Sequence, residues 1–407
     1  MTYISIAWGN MLRNRRRTLA TLAAIGAGVS MIVISTGFTG GVTGGMTNSL
    51  VNQIDGQMDI EHRDYKKFFI SDQERILIKD YRILAAELKK DPRVRAVLPR
   101  VVTGGIMGKE EKSTAFVGVF YDLENLAVVL PDYAKNLVEG RPLSADDPDG
   151  VLVGQALARS MRLRLGDEVA LLSKTVHGEQ SNALARVRGI VTFPTDPVEE
   201  QSLVIGGLGR GFRENLLDLG NGATQLLVRL DDIENVPALE KALEEKFARE
   251  NLPWRVVPWY ESKTFSQMVG MLNGINRVIM IVLAMMVGVI TSASLMMAFF
   301  ERINEIGSLR AIGMTKVDVY RMLYTESAMI AAIGTAGGLA FGGVVVIAAG
   351  HFGVPLGGFV NQEVHPTLTA ASLAAAALAP VLAILAAAFA PIHAALRMSV
   401  VDSLNFR

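Results

Sequence analysis

The residue types that do chemistry are present in this chain, but none falls at a working spacing. Five histidines (His62, His177, His351, His365 and His393) are scattered, and none sits in the HExxH pattern that sets two imidazoles on one helix face for zinc. Thiolate metal sites and disulfides are excluded, because there is no cysteine. Two glycine-rich runs invite comparison with phosphate loops. Residues 104–109 read GGIMGK, lack the GxxxxGK[ST] spacing and continue into Glu110. Residues 206–211 read GGLGRG, but do not lead from a clear strand into a helix. Ser308 lies in IGSLR, not in a nucleophile elbow. No carboxylate pair or triad stands out. No catalytic, cofactor-binding or metal-binding residue is therefore assigned, and the chemistry of any energised process has to come from another chain.

The elements around these residues are strongly segregated. Lys and Arg number 40, balanced by 40 Asp and Glu. A neutral chain lacks the basic footprint of a nucleic-acid binder. The charges crowd into a central block, while 18–38, 278–300, 327–350 and 368–396 are apolar runs without Asp, Glu, Lys or Arg. Each is long enough to span a bilayer core, which needs about 20 apolar residues. Arg13, Arg15, Arg16 and Arg17 precede the first run. A basic start before an apolar stretch also describes a signal peptide, but this run is long for one and lacks a small-x-small cleavage site, so an uncleaved helix is expected. Gly37, Gly41 and Gly45 continue it, either as a smooth stripe for a neighbouring helix or as a flexible juncture.

Charge bias orients these helices. The connection between the second and third holds Arg302, Arg310, Lys316 and Arg321, and the tail holds Arg397 and Arg407, whereas 351–366 has no Lys or Arg. N-terminus, connection and C-terminus are thus expected in the cytoplasm and the large block outside. The expected fold is an α-helical membrane domain of four transmembrane helices, with a large α+β periplasmic domain inserted between helices 1 and 2. The divisions are a basic N-terminus (1–17), helix 1 with stalk (18–45), the external domain of two subdomains (46–270), and stalk with helix 2 (271–300). There follow a cytoplasmic coupling segment (301–323), helix 3 (324–350), a short external loop (351–367), helix 4 with Pro380 and Pro391 (368–396), and a tail (397–407). The helices are expected to hold no buried charge, which argues against an ion-coupled carrier. Gly334, Gly338 and Gly342 form a small-residue seam, and Met280, Met285, Met286, Met296 and Met297 a surface able to repack. Ordinary packing within one subunit accounts equally well for both. Four helices without a polar lumen make no pathway, so pairing of two subunits is expected.

In the external block, strands are expected at 57–62, 94–102, 114–121, 151–154, 168–172, 184–191, 225–230 and 254–257, with Gly104-Gly105 in the turn between the second and third. Helices are expected at 80–90, 155–161 and 236–250. Leu165-Gly166-Asp167 reads as a tight turn, and 192–222 as a long loop or insertion rich in glycine and proline. Without regular βα alternation, an α+β domain is favoured over a doubly wound sheet.

The segment 301–315 (ERINEIGSLRAIGMT) is the charged stretch between two membrane runs. Ile303, Ile306, Leu309 or Arg310, and Gly313 recur at helical spacing. Arg302, Glu305, Ser308 and Lys316 fall on the other side. The pattern suits a short helix that transmits force, and equally a solvated hairpin.

The same stretch resembles the ABC-transporter permeases of the FtsX type. Matching residues are Arg302, Glu305-Ile306-Gly307, Leu309-Arg310-Ala311-Ile312-Gly313, Val319 and Glu326, with a closing segment of Pro391, Ala394-Ala395, Ser399 and Asp402. The external block is similar to lipoprotein-releasing (LolC/LolE-type) permeases through GQMDIEHRDY from Gly56, DPRVRAVLPRV from Asp91, VLVGQALARSMRLRLGDEVAL from Val151 and RVRGIV from Arg186, motifs shared more loosely with MacB-like permeases. Phe193-Pro194-Thr195-Asp196-Pro197 replaces that family's usual TG-containing turn. The resemblance implies an inner-membrane permease that dimerises with itself or a sister permease and has no cofactor of its own. ATP would be bound by two copies of a cytoplasmic ABC ATPase, docked at Arg302, Glu305, Ile306, Gly307, Leu309, Arg310 and Gly313. It implies mechanotransmission that releases lipoproteins or similar envelope cargo. The alternatives are efflux or secretion with a periplasmic adaptor, and FtsX-like control of a cell-wall hydrolase.

Overall fold

The computed structural model describes residues 3–192, 201–355 and 363–397. The departure at 193–197, the middle of the 351–367 loop and the closing motif from residue 398 lie outside the described residues. The chain forms two compact units, one of Met1–Gly45 with Met268–Arg407, the other of Met46–Gln267.

Among the described residues four helices are long and apolar enough to cross a membrane: Arg15–Ile54, Ser266–Glu301, Lys316–Phe352 and Ala370–His393, all in the first unit except the end of the first and the start of the second. The first packs on the third through the glycine seam. A Cβ added to Gly338 would lie 2.6 Å from Val29 Cβ and 2.7 Å from Gly26 O, and one on Gly342 would lie 2.9 Å from Val33 Cβ. The Ser30 hydroxyl donates to Gly338 O at 3.1 Å across this contact. Gly334 meets Ile25 in the same way, so the seam serves packing within one chain. Gly37 and Gly41 are likewise packed, against Val346 and against His365 and Pro366, while Gly45 has nothing within 4 Å. Ile25, Val29, Ile32 and Val33 of the first helix join Val287, Ile330, Val346 and Ile384 in one buried cluster. The third helix starts at Lys316, earlier than expected, because Thr315 and Asp318 form a capping box that satisfies its first amide groups.

The second unit is built on ten strands: β1 (Met58–His62), β2 (Val94–Lys109), β3 (Lys112–Tyr121), β4 (Leu137–Gly140), β5 (Gly150–Gly154), β6 (Glu168–Lys174), β7 (Gln180–Val191), β8 (Leu203–Gly207), β9 (Gln225–Leu230) and β10 (Trp254–Pro258). They pair in the order β10-β1-β9-β2-β3-β8-β5-β7-β4, and β6 bonds both β7 and β2. Strands β2, β3, β8, β5, β7 and β6 therefore close a six-stranded ring. The long β2 makes closure possible: Val94–Arg100 pairs with β9, and Gly105–Gly108 with β6. Gly104 and Gly105 are thus inside a strand, not in a turn. A Cβ on Gly105 would stand 2.1 Å from Leu172 O, so β6 approaches only where that side chain is absent. The turn falls at Glu110 and Glu111, with Glu110 in the left-handed region.

The expected loop at 192–222 is corrected too, since β8 lies in it, between β3 and β5 and buried along its length. Its glycines are steric, not flexible: a Cβ on Gly206 would meet the Phe120 ring at 2.7 Å. Val101, Phe116, Phe120, Val151, Val153 and Val204 fill the ring interior with the helix Gln155–Met161. Beyond the ring, β10, β1, β9 and the start of β2 pack against the helices Tyr81–Leu88 and Val236–Arg249 through Ile60, Val228, Leu239 and Phe247.

Candidate functional site

The charged stretch folds as a nine-residue helix, Ile303–Ala311. Ile303 and Ile306 are buried with Phe299 and Val319, and Met314 and Leu323 pack on them. Gly307 is buried beside them. The helix ends at Gly313, whose φ of +114° is open to glycine and strained for other residues. Met314 N donates to Leu309 O at 3.0 Å across this stop.

Arg302 departs from expectation. Predicted on the solvent side, it is buried at the head of the helix, its Nη1 3.1 Å and 3.4 Å from the two oxygens of Glu326. Glu326 is itself buried in the third spanning helix, so that helix does hold a buried charge. Glu326 falls just before the uncharged run 327–350, and its carboxylate turns toward Arg302, a partner 24 residues back. Such a charge is tolerated only with a partner, and Arg302 supplies one.

An exposed ring of partners surrounds the pair. Glu305 lies 3.5 Å from Arg302 Nε and accepts from Arg13 Nη2 at 2.5 Å, while Arg17 reaches Glu301 at 2.5 Å. Asn10 of the helix Tyr3–Arg13 donates to Glu326 at 3.3 Å. One network joins the N-terminal helix, the short helix and the third spanning helix, and the separate Arg17–Glu301 pair ties the first spanning helix to the second. Arg13 and Arg17, noted in the sequence only as an orienting cap, are the missed partners. Their signal was the matching excess of glutamate at 301 and 305. The opposite side of the short helix faces outward. Leu309 is exposed, Arg310 partly so, and Ile312 is 85% exposed. The side chains of Ala394 and Ala395, and all of Ser399 and Asp402, lie outside the described residues.

Among the described residues no group of His, Asp and Glu is placed to hold a metal ion. What the arrangement offers is a short helix buried along one side, with Leu309 and Ile312 exposed on the other. Comparison with known proteins bears on this. The model described as FtsX-like permease C-terminal matches residues 277–400, and the one described as MacB-like periplasmic core domain matches 18–246, more than half of the chain. The chain belongs to the FtsX/MacB permease family. It is a membrane protein with a MacB-like periplasmic domain, and both models describe permease components of ABC transporters. Among solved structures it is similar to the periplasmic region of MacB from Actinobacillus actinomycetemcomitans, with 16% identity, 53% of this chain and 92% of that chain covered, and a TM-score of 0.37. It is also similar to the extracellular domain of the noncanonic ABC-type transporter YknZ from Gram-positive bacteria, with 12% identity, 42% and 86% covered, and a TM-score of 0.31. At these scores neither likeness bears on the fold of this family member, which rests on its own strand pairing. No curated protein matches the chain.

Proposed function

We propose that this chain is the inner-membrane permease of an ATP-driven ABC transporter that works by mechanotransmission. Residues 301–323 receive the closure of a separate cytoplasmic ATPase, present in two copies, and the spanning helices of a permease pair carry the movement to the outer domain. The observation that carries this reading is the two-sided short helix. Its inner side is held by Ile303, Ile306 and the Arg302–Glu326 pair, while Leu309 and Ile312 stand out where a partner's groove would take them. A few side chains that fill a well-packed, desolvated pocket near the centre of an interface carry most of its binding energy.

The cargo proposed is a lipoprotein or similar lipid-anchored molecule, supported by the four external stretches quoted above. The match to a MacB-like periplasmic core supports a second reading, efflux or secretion with a periplasmic adaptor. Purification of the full chain from native membranes separates them: a trapped lipoprotein supports the first, an adaptor the second, and a cell-wall hydrolase would replace both. The coupling assignment has its own test. Ile312→Asp should weaken ATPase docking roughly tenfold, equivalent to about 1.4 kcal/mol, without loss of fold. Unchanged stimulation of the co-purified ATPase by this variant and by Glu305→Ala would reject the assignment.

A further inference from the structure

The outer face of the ring wall carries a cavity of about 230 Å³ within the second unit. Its wall is formed by Val102 of β2, Val117 and Val119 of β3, Leu152 of β5, and Leu203 and Ile205 of β8. These alternate along their strands with the residues that fill the ring interior, so the cavity lies on the opposite face. Leu130 and Tyr133, Tyr65, and the turn at Ile54 and Asp55 line the rest. No motif pointed to this place, because its residues come from nine separated stretches.

At one end the lining is polar. Arg100, 6% exposed, donates from Nε to Gln225 Oε1 at 3.0 Å, from Nη1 to Asp55 at 2.8 Å and Ile54 O at 3.3 Å, and from Nη2 to Asp59 at 2.9 Å. Every guanidinium nitrogen is engaged, and Asp55 balances its charge, because burial favours the neutral form of the Asp59 carboxyl. An anionic head would meet Asp55 without an uncommitted cation, and a cationic head would meet Arg100. Tyr65 donates to Gln225 Oε1 at 3.0 Å and Tyr121 to Ile54 O at 3.3 Å, while Thr224 and Arg100 donate to the two phenol oxygens. The acceptor left over is Asp55, which Arg100 engages through Oδ1 alone. A head group that suits this end is uncharged and donates a hydrogen bond. The apolar wall sets the size. Benzene occupies an engineered apolar cavity of about 150 Å³, which scales to about nine non-hydrogen atoms for this one.

We propose that this cavity binds a small uncharged amphiphile, an aliphatic body of about eight carbons ending in a hydroxyl or amide N–H. An apolar cavity with a few convergent polar groups is the usual form of a small-molecule site. Occupancy would brace the 50–55 turn against the sheet, whichever cargo the permease handles.

The test uses octan-1-ol and the full chain in lipid nanodiscs. Because the protein has no cysteine, Val119→Cys supplies a single thiol in the wall, and Val117→Cys a second reporter at a more exposed position. Saturating octan-1-ol should slow thiol modification at either reporter at least fivefold. Octanoate and octylammonium should slow it less than twofold. Leu152→Phe, which fills the wall, should abolish protection while leaving circular dichroism unchanged. Ile281→Cys, exposed on the second spanning helix, reports any general effect of the alcohol on the bilayer. Absence of protection at both reporters, equal protection by octanoate, or equal slowing at Ile281→Cys would overturn the proposal.

Discussion

Breaking the Arg302–Glu326 pair is the sharpest test of the site. The two side chains are 11% and 6% exposed, so a survivor has little access to bulk water. Removing one member of such a pair costs about 3–5 kcal/mol. Two features pull the expectation to the low end for Glu326→Gln. Glu305 stays 3.5 Å from Arg302 and its own carboxylate reaches solvent. A cavity of about 20 Å³ borders the pair, enough for one water. We expect about 3 kcal/mol for Glu326→Gln, and slightly more for Arg302→Met, which leaves the carboxylate with neutral Asn10. Combining Arg302→Met with Glu326→Leu removes both charges, and should recover at least about 2 kcal/mol relative to the sum of the single changes. Arg13→Ala is the control. Its bridge to Glu305 joins groups 58% and 49% exposed, so its loss should cost less than about 1 kcal/mol. The assay is equilibrium unfolding of the full chain in mixed detergent micelles, followed by helical circular dichroism. A cost below about 1 kcal/mol for Glu326→Gln, or a double variant no better than the sum of its parts, would refute the reasoning.

Gly338→Leu should disrupt packing by about 3 kcal/mol or more, because backbone at Gly26 blocks the new side chain, whereas Gly337→Leu, with nothing within 4 Å, should change thermal stability by less than about 0.5 kcal/mol. Equal effects in melting of the purified chain would place both glycines on the same kind of surface. In the outer domain, burial pushes the Asp59 carboxyl up to about 8, against the pull of Arg100 and with the help of Glu61 and Asp55; the Tyr65 and Tyr121 hydroxyls also face it, and Arg255 pairs with Glu61. A raised folded pKa means stability that is complete below the ordinary value of 3.8 and lost as pH rises through 8, with a slope of at most about 1.4 kcal/mol per pH unit. Melting between pH 5 and 8, read by tryptophan fluorescence, should show this decline, and Asp59→Asn should flatten it; parallel curves for both proteins would assign the slope to other groups.

What could be read from sequence follows the range of the interactions. The helix Gln155–Met161 begins and ends as its pattern predicts, because Gly154 and the polar residues after Met161 are local stops. Uncharged runs marked the four apolar helices for the same reason, since the bilayer acts on composition. Errors arose where a distant partner decides. Gly104-Gly105 looks like a turn until β6 arrives from more than sixty residues away to occupy the space of a missing Cβ. The run LVIGG at 203–207 reads as loop, yet Gly206 is what the Phe120 ring requires and Gly207 what Leu123 requires. Arg302 sits in a polar string whose periodicity places it outward. Its burial depends on Glu326, a full 24 residues on. The Arg100 cavity is legible in no local window at all.

The Arg302–Glu326 pair is a poor choice for strength. Well-packed apolar residues of similar volume commonly serve stability as well as a buried ion pair or better. What the pair adds is direction. Its bond holds the start of the short helix to one point on the third spanning helix, and unpairing it leaves a charge stranded, so sliding by a turn is strongly disfavoured. At the other end, Gly313 and the Thr315–Asp318 box fix where the chain turns back into the third helix. The helix Ile303–Ala311 is therefore held at both ends and buried along one side, while Leu309 and Ile312 remain exposed. On the coupling proposed above, a push on the outer side of an element fixed in this way would pass into the spanning helices at its two ends rather than be absorbed by local rearrangement.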